Sequence, residues 1–136
     1  GVHFIQQLQK IFGSVEAKNV HIQFPEDPHA SENAILAILN LADGTPVFID
    51  GMSQIAGKEE IAFTAYGEEG TLSLLNWGQL AGGKLGEDTL PLEVDNSLTD
   101  SLVDNLVKAI KGEEATIIDF AAGYEAQVIL EQLRKG

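Results

Sequence analysis

Residues 34–52 read AILAILNLADGTPVFIDGM. Two apolar runs, Ala34 to Ala42 and Val47 onward, flank Asp43-Gly44, and Pro46 opens the second. Asp-Gly between apolar runs is a strong hairpin signal, because Gly takes the positive φ that a tight turn needs. The first run by itself could be a short helix, but the Asp-Gly that follows decides for strands. Both runs are read as strands. The nearly unbroken apolarity of the first puts it near the centre of a sheet.

Working outward, Val20, Ile22 and Phe24 alternate with polar neighbours, so Val15 to Phe24 is a further strand. PEDPHASEN, Pro25 to Asn33, is a turn-rich connection. Downstream, Lys58-Glu59-Glu60 breaks the chain before Ile61, Phe63 and Ala65, which alternate with Ala62, Thr64 and Tyr66. Gly67 to Gly70 is a turn, and Thr71 to Trp77 follows with Leu72 and Leu74 on one face. Gly78 to Asp88 reads as Gly-rich and irregular, and Leu90, Leu92 and Val94 as one more short strand.

Helices flank these strands. In GVHFIQQLQKIFG, Ile5, Leu8 and Phe12 recur at helical spacing, Phe4 and Ile11 widen the stripe, and Gly13 stops it. His3, Gln6, Gln7 and Lys10 share the polar side. A late helix is capped by Asn96 or Ser97, with Asp100 three residues beyond Ser97 in the manner of a capping box. Its buried face is Leu102, Val103, Leu106, Val107 and Ile110, and Gly112 ends it. The closing helix starts at Asp119, buries Tyr124, Val128, Ile129 and Leu133, and carries Arg134 and Lys135 where the helix dipole favours cations. A helix, a run of strands and two helices make an α+β chain: a mostly antiparallel open sheet with helices packed on one face. Ala62, Thr64, Tyr66, Thr71, Ser73 and Leu75 then line the other face, which carries no charge. A solvated face is usually more charged, so a partner is expected there.

The 136 residues are read as a single domain, 1–136. The chain opens on Gly1 rather than Met, as a processed or excised piece does. Eight Lys and Arg against 21 Asp and Glu leave a net charge of -13, which repels phosphate backbones and argues against a nucleic-acid partner. No apolar run reaches the roughly 18 residues of a membrane span. There is no cysteine, so disulfides, thiolate metal sites and Cys nucleophiles are ruled out, and a reducing, cytoplasmic setting fits.

Chemistry-bearing patterns are sparse. His3, His21 and His29 lack the i, i+4 spacing of a zinc helix. His21 among strand residues reads as structural or solvated, and His29 as a surface residue of an acidic loop. His3 stands at a helix N-terminus, where the dipole disfavours a charged imidazole, as a neutral acid/base residue needs. By spacing alone it reads as a surface residue. Glu26-Asp27, Glu59-Glu60, Glu68-Glu69 and Glu113-Glu114 read as solvated turn charges. GxGxxG after a strand, the phosphate-loop motif and GxSxG are all missing, and Gly82-Gly83-Lys84 lacks the phosphate-loop spacing.

Four segments in order resemble the Gfo/Idh/MocA family of oxidoreductases. GVHFIQQLQKIFGSVEAKNV is similar to its segment G-[GV]-H-x-[IL]-D followed by an apolar helix. TAYGEEGTLSL is similar to its strand–turn–strand Y-G-x-x-G-x-L, LVDNLVKAIKGEE to its helix F-x-x-A-I-x-x-G, and DFAAGYEAQVILEQLRKG to its closing helix. The resemblance implies a two-domain enzyme. An N-terminal Rossmann domain, absent from this chain, would bind NAD or NADP, and this C-terminal domain would shape the substrate site and mediate oligomerisation. It also implies that His3 is the catalytic proton-transfer residue; the Asp four residues earlier would precede Gly1, and Gln6 stands where the motif has a second Asp.

Two functions follow from the resemblance. The first is the substrate half of an NAD(P)-dependent dehydrogenase of a sugar, cyclitol or related polyol. In that reaction hydride passes between a carbinol carbon and nicotinamide while His3 takes or returns the hydroxyl proton. The second is a non-catalytic binding or dimerisation module, which Gln6 favours. In either case the chain alone is expected to be inactive and to hold no cofactor or metal. It is also expected to form a homo-oligomer through the open sheet face.

Overall fold

A computed structural model describes residues 2–27, 29–95 and 100–135. The order of elements is α1 (Val2–Phe12), β1 (Val15–Gln23), β2 (Ala34–Leu41), β3 (Pro46–Met52), β4 (Ala62–Tyr66), β5 (Gly70–Leu75), β6 (Gln79–Lys84), β7 (Leu90–Leu92), α2 (Leu102–Lys111) and α3 (Phe120–Lys135). The fold is α+β and every strand pairing is antiparallel. The strands form two hydrogen-bonded sheets, β1-β2-β3 and β4-β5-β6-β7, rather than one. The chain divides into two compact units, residues 1–56 with 118–136, and residues 57–117.

In the first unit β2 is the central strand, as its apolarity requires. The hairpin to β3 turns through Ala42, Asp43 and Gly44, with Gly44 at φ 90°. The Gly44 N–H donates to the Leu41 carbonyl, the Leu41 N–H donates to the Thr45 carbonyl, and the Thr45 N–H donates to Asp43 Oδ1. That last bond, from the Thr45 backbone, holds the Asp43 carboxyl below the usual carboxylate range. Helix α3 packs on β1 and α1 packs on α3. The core is Ile5 and Leu8 of α1, Val15 of β1, Ala37 and Leu39 of β2, and Ala126, Ile129 and Leu133 of α3. A β-bulge between Ala17 and Asn19 shifts the register of β1, so that Val15 and Ala17 before it and Val20 and Ile22 after it share the helix-facing side.

Four core expectations are corrected here. Ile11 and Phe12 are exposed, because they lie in the last turn of α1 beyond the buried Ile5 and Leu8. Tyr124 is exposed and Val128 only half-buried; Ala126 takes the close-packed position instead, since a methyl side chain lets α3 approach its neighbours.

In the second unit, β4 to β7 form a meander. The stretch read as irregular contains β6, paired on both sides. Its glycines serve close backbone approach: a Cβ on Gly83 would lie 2.5 Å from the Asp88 carbonyl oxygen. Asn76 and Trp77 turn the chain into β6 with positive φ, and Asn76 Oδ1 accepts from the Ile61 N–H. Asn96 and Ser97, the expected caps of α2, lie outside the described residues. The cap is Ser101: its hydroxyl accepts from the Asp104 N–H at 3.1 Å, and its own N–H donates to Asp104 Oδ2 at 3.2 Å. The expected buried face of α2 is exposed throughout, at Leu102, Val103, Leu106, Val107 and Ile110. Every fully buried apolar residue among the described residues belongs to the first unit.

Candidate functional site

His3 lies in the first turn of α1 and is exposed. The helix exists because Ile5 and Leu8 anchor one side in the core, which leaves His3 on the outward side with Lys10. Gln6 and Gln7 are half-buried between these sides. Gln7 Oε1 is buried and accepts no hydrogen bond among the described residues. The polar side read from the sequence is therefore real for His3 and Lys10, whereas the two glutamines turn partly inward.

The other histidines stand apart. His21 is exposed on β1, level with Leu36 of β2. His29 is exposed in the Pro25–Asn33 connection, where its backbone N–H donates to Asp27 Oδ1 at 2.9 Å. Among the described residues no group of three His, Asp or Glu is placed to hold a metal. The adjacent acid pairs are all exposed residues of the connections between helices and strands. Asp104 is held below the ordinary carboxylate range, first by the Ser101 hydroxyl and then by the Ser101 N–H, and Asp100 pairs with Lys108 and raises its pKa. These charges cap and staple α2.

Two shallow hollows border α3. One, of about 390 Å³, lies among Glu16, Ala17, Lys18, Val20, Gln132 and Lys135. The other, of about 340 Å³, runs along Tyr124, Gln127, Val128 and Glu131 of α3 itself. Neither reaches His3, and their lysines and acids are surface groups, Lys18 being paired with Glu16 at 2.7 Å. A binding pocket needs convergent, partly desolvated polar groups, and these hollows lack them.

The Gly-rich stretch does not fit a dinucleotide. Pyrophosphate binding uses unpaired backbone N–H groups at a helix start. Gly82 and Gly83 instead sit within β6, both paired with β5, and Gly82 is paired with β7 as well. No helix of the described residues is long and apolar enough to cross a membrane.

On the second sheet, Ala62 pairs with Leu75, Thr64 with Ser73 and Tyr66 with Thr71, so the uncharged residues do share a face. Thr64 and Ser73 join their hydroxyls at 2.9 Å, and Tyr66 stands 84% exposed.

Comparison with known proteins gives a consistent picture. A family model described as the oxidoreductase family, C-terminal alpha/beta domain, matches residues 1–135. No curated protein matches the chain. Among solved structures, the UDP-N-acetylglucosamine 3-dehydrogenase of Acidithiobacillus ferrooxidans is similar at a TM-score of 0.75 and 15% identity, over 98% of this chain and 44% of that one. The biliverdin reductase of Synechocystis sp. PCC 6803, solved with biliverdin and NADP+, gives 0.67 and 17%, over 98% and 44%. The WlbA dehydrogenase of Bordetella pertussis, solved with NADH and UDP-GlcNAcA, gives 0.66 and 19%, over 98% and 40%. The chain thus spans less than half the length of the structures it matches.

Proposed function

Because residues 1–135 belong to the Gfo/Idh/MocA oxidoreductase family as its C-terminal α/β domain, we propose that the chain is the substrate-binding half of an NAD(P)-dependent dehydrogenase acting on a sugar, cyclitol or related polyol. The observation that carries this reading is the family match from end to end. Two of the three solved structures named above are dehydrogenases, one of UDP-N-acetylglucosamine and one solved with UDP-GlcNAcA, which supports the sugar class. In this reading the nicotinamide cofactor is held by the Rossmann domain of the parent, and Gly82 and Gly83 serve sheet pairing in β6.

In this reading His3 exchanges the proton of the substrate hydroxyl. Its exposure at the start of α1 leaves the imidazole accessible, and Ile5 and Leu8 fix the helix that carries it. A positioned acid/base group contributes roughly 100- to 10,000-fold in rate. His3→Ala in the full-length parent should therefore lower kcat by that range while leaving the melting temperature unchanged. Normal turnover in the variant refutes the role. Gln6, standing where the family motif has Asp, favours a second reading: a non-catalytic binding or dimerisation module. The coding sequence upstream separates the two. A Gly-rich strand–turn–helix and a Lys segment support the enzyme; their absence supports the module. In both readings the chain forms a homo-oligomer through an uncharged sheet face.

A further inference from the structure

Gln7 of α1 carries an acceptor that the fold leaves unanswered. Its Oε1 is buried and accepts no hydrogen bond among the described residues. Buried polar atoms are hydrogen-bonded in the large majority, because an unmet one costs its full desolvation. Gln7 stands four residues after His3 on the same helix. Residues four apart lie one above the other, with Cβ atoms about 5 to 6 Å from each other. Helical side chains lean toward the N-terminus, so Gln7 leans over the turn that holds His3. A glutamine amide and an imidazole together span that gap. His3 is exposed, so its ring can turn toward the helix without displacing a core residue. Of the four residues one turn from Gln7 on α1, Phe4 and Ile11 are apolar, which leaves His3 and Lys10 as donors. Lys10 is disfavoured, since drawing an ammonium out of water costs more than drawing in a neutral imidazole N–H.

We infer that Gln7 is a positioning residue for His3: its Oε1 accepts the imidazole Nδ1–H and so holds Nε2 bare and outward, as the atom that exchanges a proton with the substrate hydroxyl. The inference rests on the reading of His3 as the proton-transfer residue and adds the group that sets its tautomer. Nδ1 is the ring nitrogen nearer the backbone, and thus the one that reaches an oxygen buried against the helix. A neutral imidazole carries one N–H, and the bond made by one nitrogen decides what the other can do. In water the histidine side chain favours the Nε2–H form, whose outer nitrogen is a donor and cannot take a proton. A bond from Nδ1 opposes that preference, and a net hydrogen bond shifts such a ratio by about two- to tenfold. As the carbinol carbon gives up hydride to nicotinamide, Nε2 takes the hydroxyl proton, Nδ1–H stays on Oε1, and the imidazolium then releases the Nε2 proton to water. The amide is neutral, so it fixes the tautomer without trapping the imidazolium as a carboxylate would.

Heteronuclear NMR of the histidine ring nitrogens in the whole chain, at a pH where the imidazoles are neutral, reads the tautomer directly; His3→Ala assigns the His3 signals. His3 should be mostly Nδ1–H, while the exposed His21 and His29 serve as Nε2–H references. Gln7→Leu, of similar size and without the acceptor, should return His3 to the Nε2–H form with an unchanged circular dichroism spectrum. Gln7→Glu, which supplies an acceptor again, should keep Nδ1–H, and Lys10→Met should change nothing. In the full-length parent Gln7→Leu should lower kcat by about two- to tenfold with KM unchanged. A His3 that is Nε2–H in the unaltered chain, or that Gln7→Leu leaves unmoved, overturns the inference; the role of His3 itself then stands or falls on the turnover of His3→Ala. A tautomer that follows Lys10→Met instead of Gln7→Leu also overturns it. Normal turnover in His3→Ala beside a tautomer set by Gln7 overturns the catalytic reading and not the bond.

Discussion

Leu36 and Leu39 lie three residues apart on β2 and face opposite ways. Leu39 is 0% exposed, between Ala17 of β1 and Val47 of β3 on the side that carries α3. Leu39→Ala removes the transfer free energy of the side chain and leaves a cavity that the flanking strands cannot close. Such changes cost about 2 to 5 kcal/mol. Taking about 3 kcal/mol, and roughly 3 to 5 °C per kcal/mol for a chain of this size, the melting temperature should fall by about 10 °C or more. Leu36 keeps more than half of its surface in water, so Leu36→Ala should cost about 1 kcal/mol at most. The assay is thermal melting by far-ultraviolet circular dichroism at low micromolar protein, where contact between copies does not contribute. Equal losses from the two variants refute the alternation of β2. A larger loss from Leu36→Ala means that the strand is slipped by one residue, since such a slip turns every side chain to the other face.

Three further outcomes follow from the same geometry. Gly83→Ala brings a Cβ against the Asp88 carbonyl and should cost about 1 to 3 kcal/mol, read as faster amide exchange in β6 and β7; unchanged exchange refutes the close approach. Asp104 is depressed by its bonds from Ser101, so its support for α2 is complete above the ordinary value of 3.8 and fades as pH falls through the lower folded-state value. Amide protection in α2 should hold from pH 7 to 5 and drop only in stronger acid; a drop between pH 7 and 5 contradicts this. NADH titrated into the chain by calorimetry should show no binding, and a micromolar dissociation constant would refute the reading of β6 as a plain strand.

What the sequence made legible follows from what each pattern encodes. The β2–β3 hairpin, α1 and α3 rest on local signals: an Asp-Gly turn with Gly44 at positive φ, and apolar residues at helical spacing. β6 was hidden because Gly82 and Gly83 read as breakers, whereas here glycine permits backbone contact. The apolar stripe of α2 has the right spacing, but spacing states only that a face is apolar, not that the second unit supplies a partner for it. His3 was legible through its motif, and its outward direction follows from Ile5 and Leu8. The His21–Leu36–Asp50 row was not legible at all. Unbroken alternation from Val15 would send residues 15, 17, 19 and 21 to the same side, toward the helices. The bulge between Ala17 and Asn19 inserts one residue and reverses the rest of the strand, so Val20 and Ile22 turn inward and His21 turns out. That single extra residue places an imidazole on the open face, level with Leu36 and Asp50.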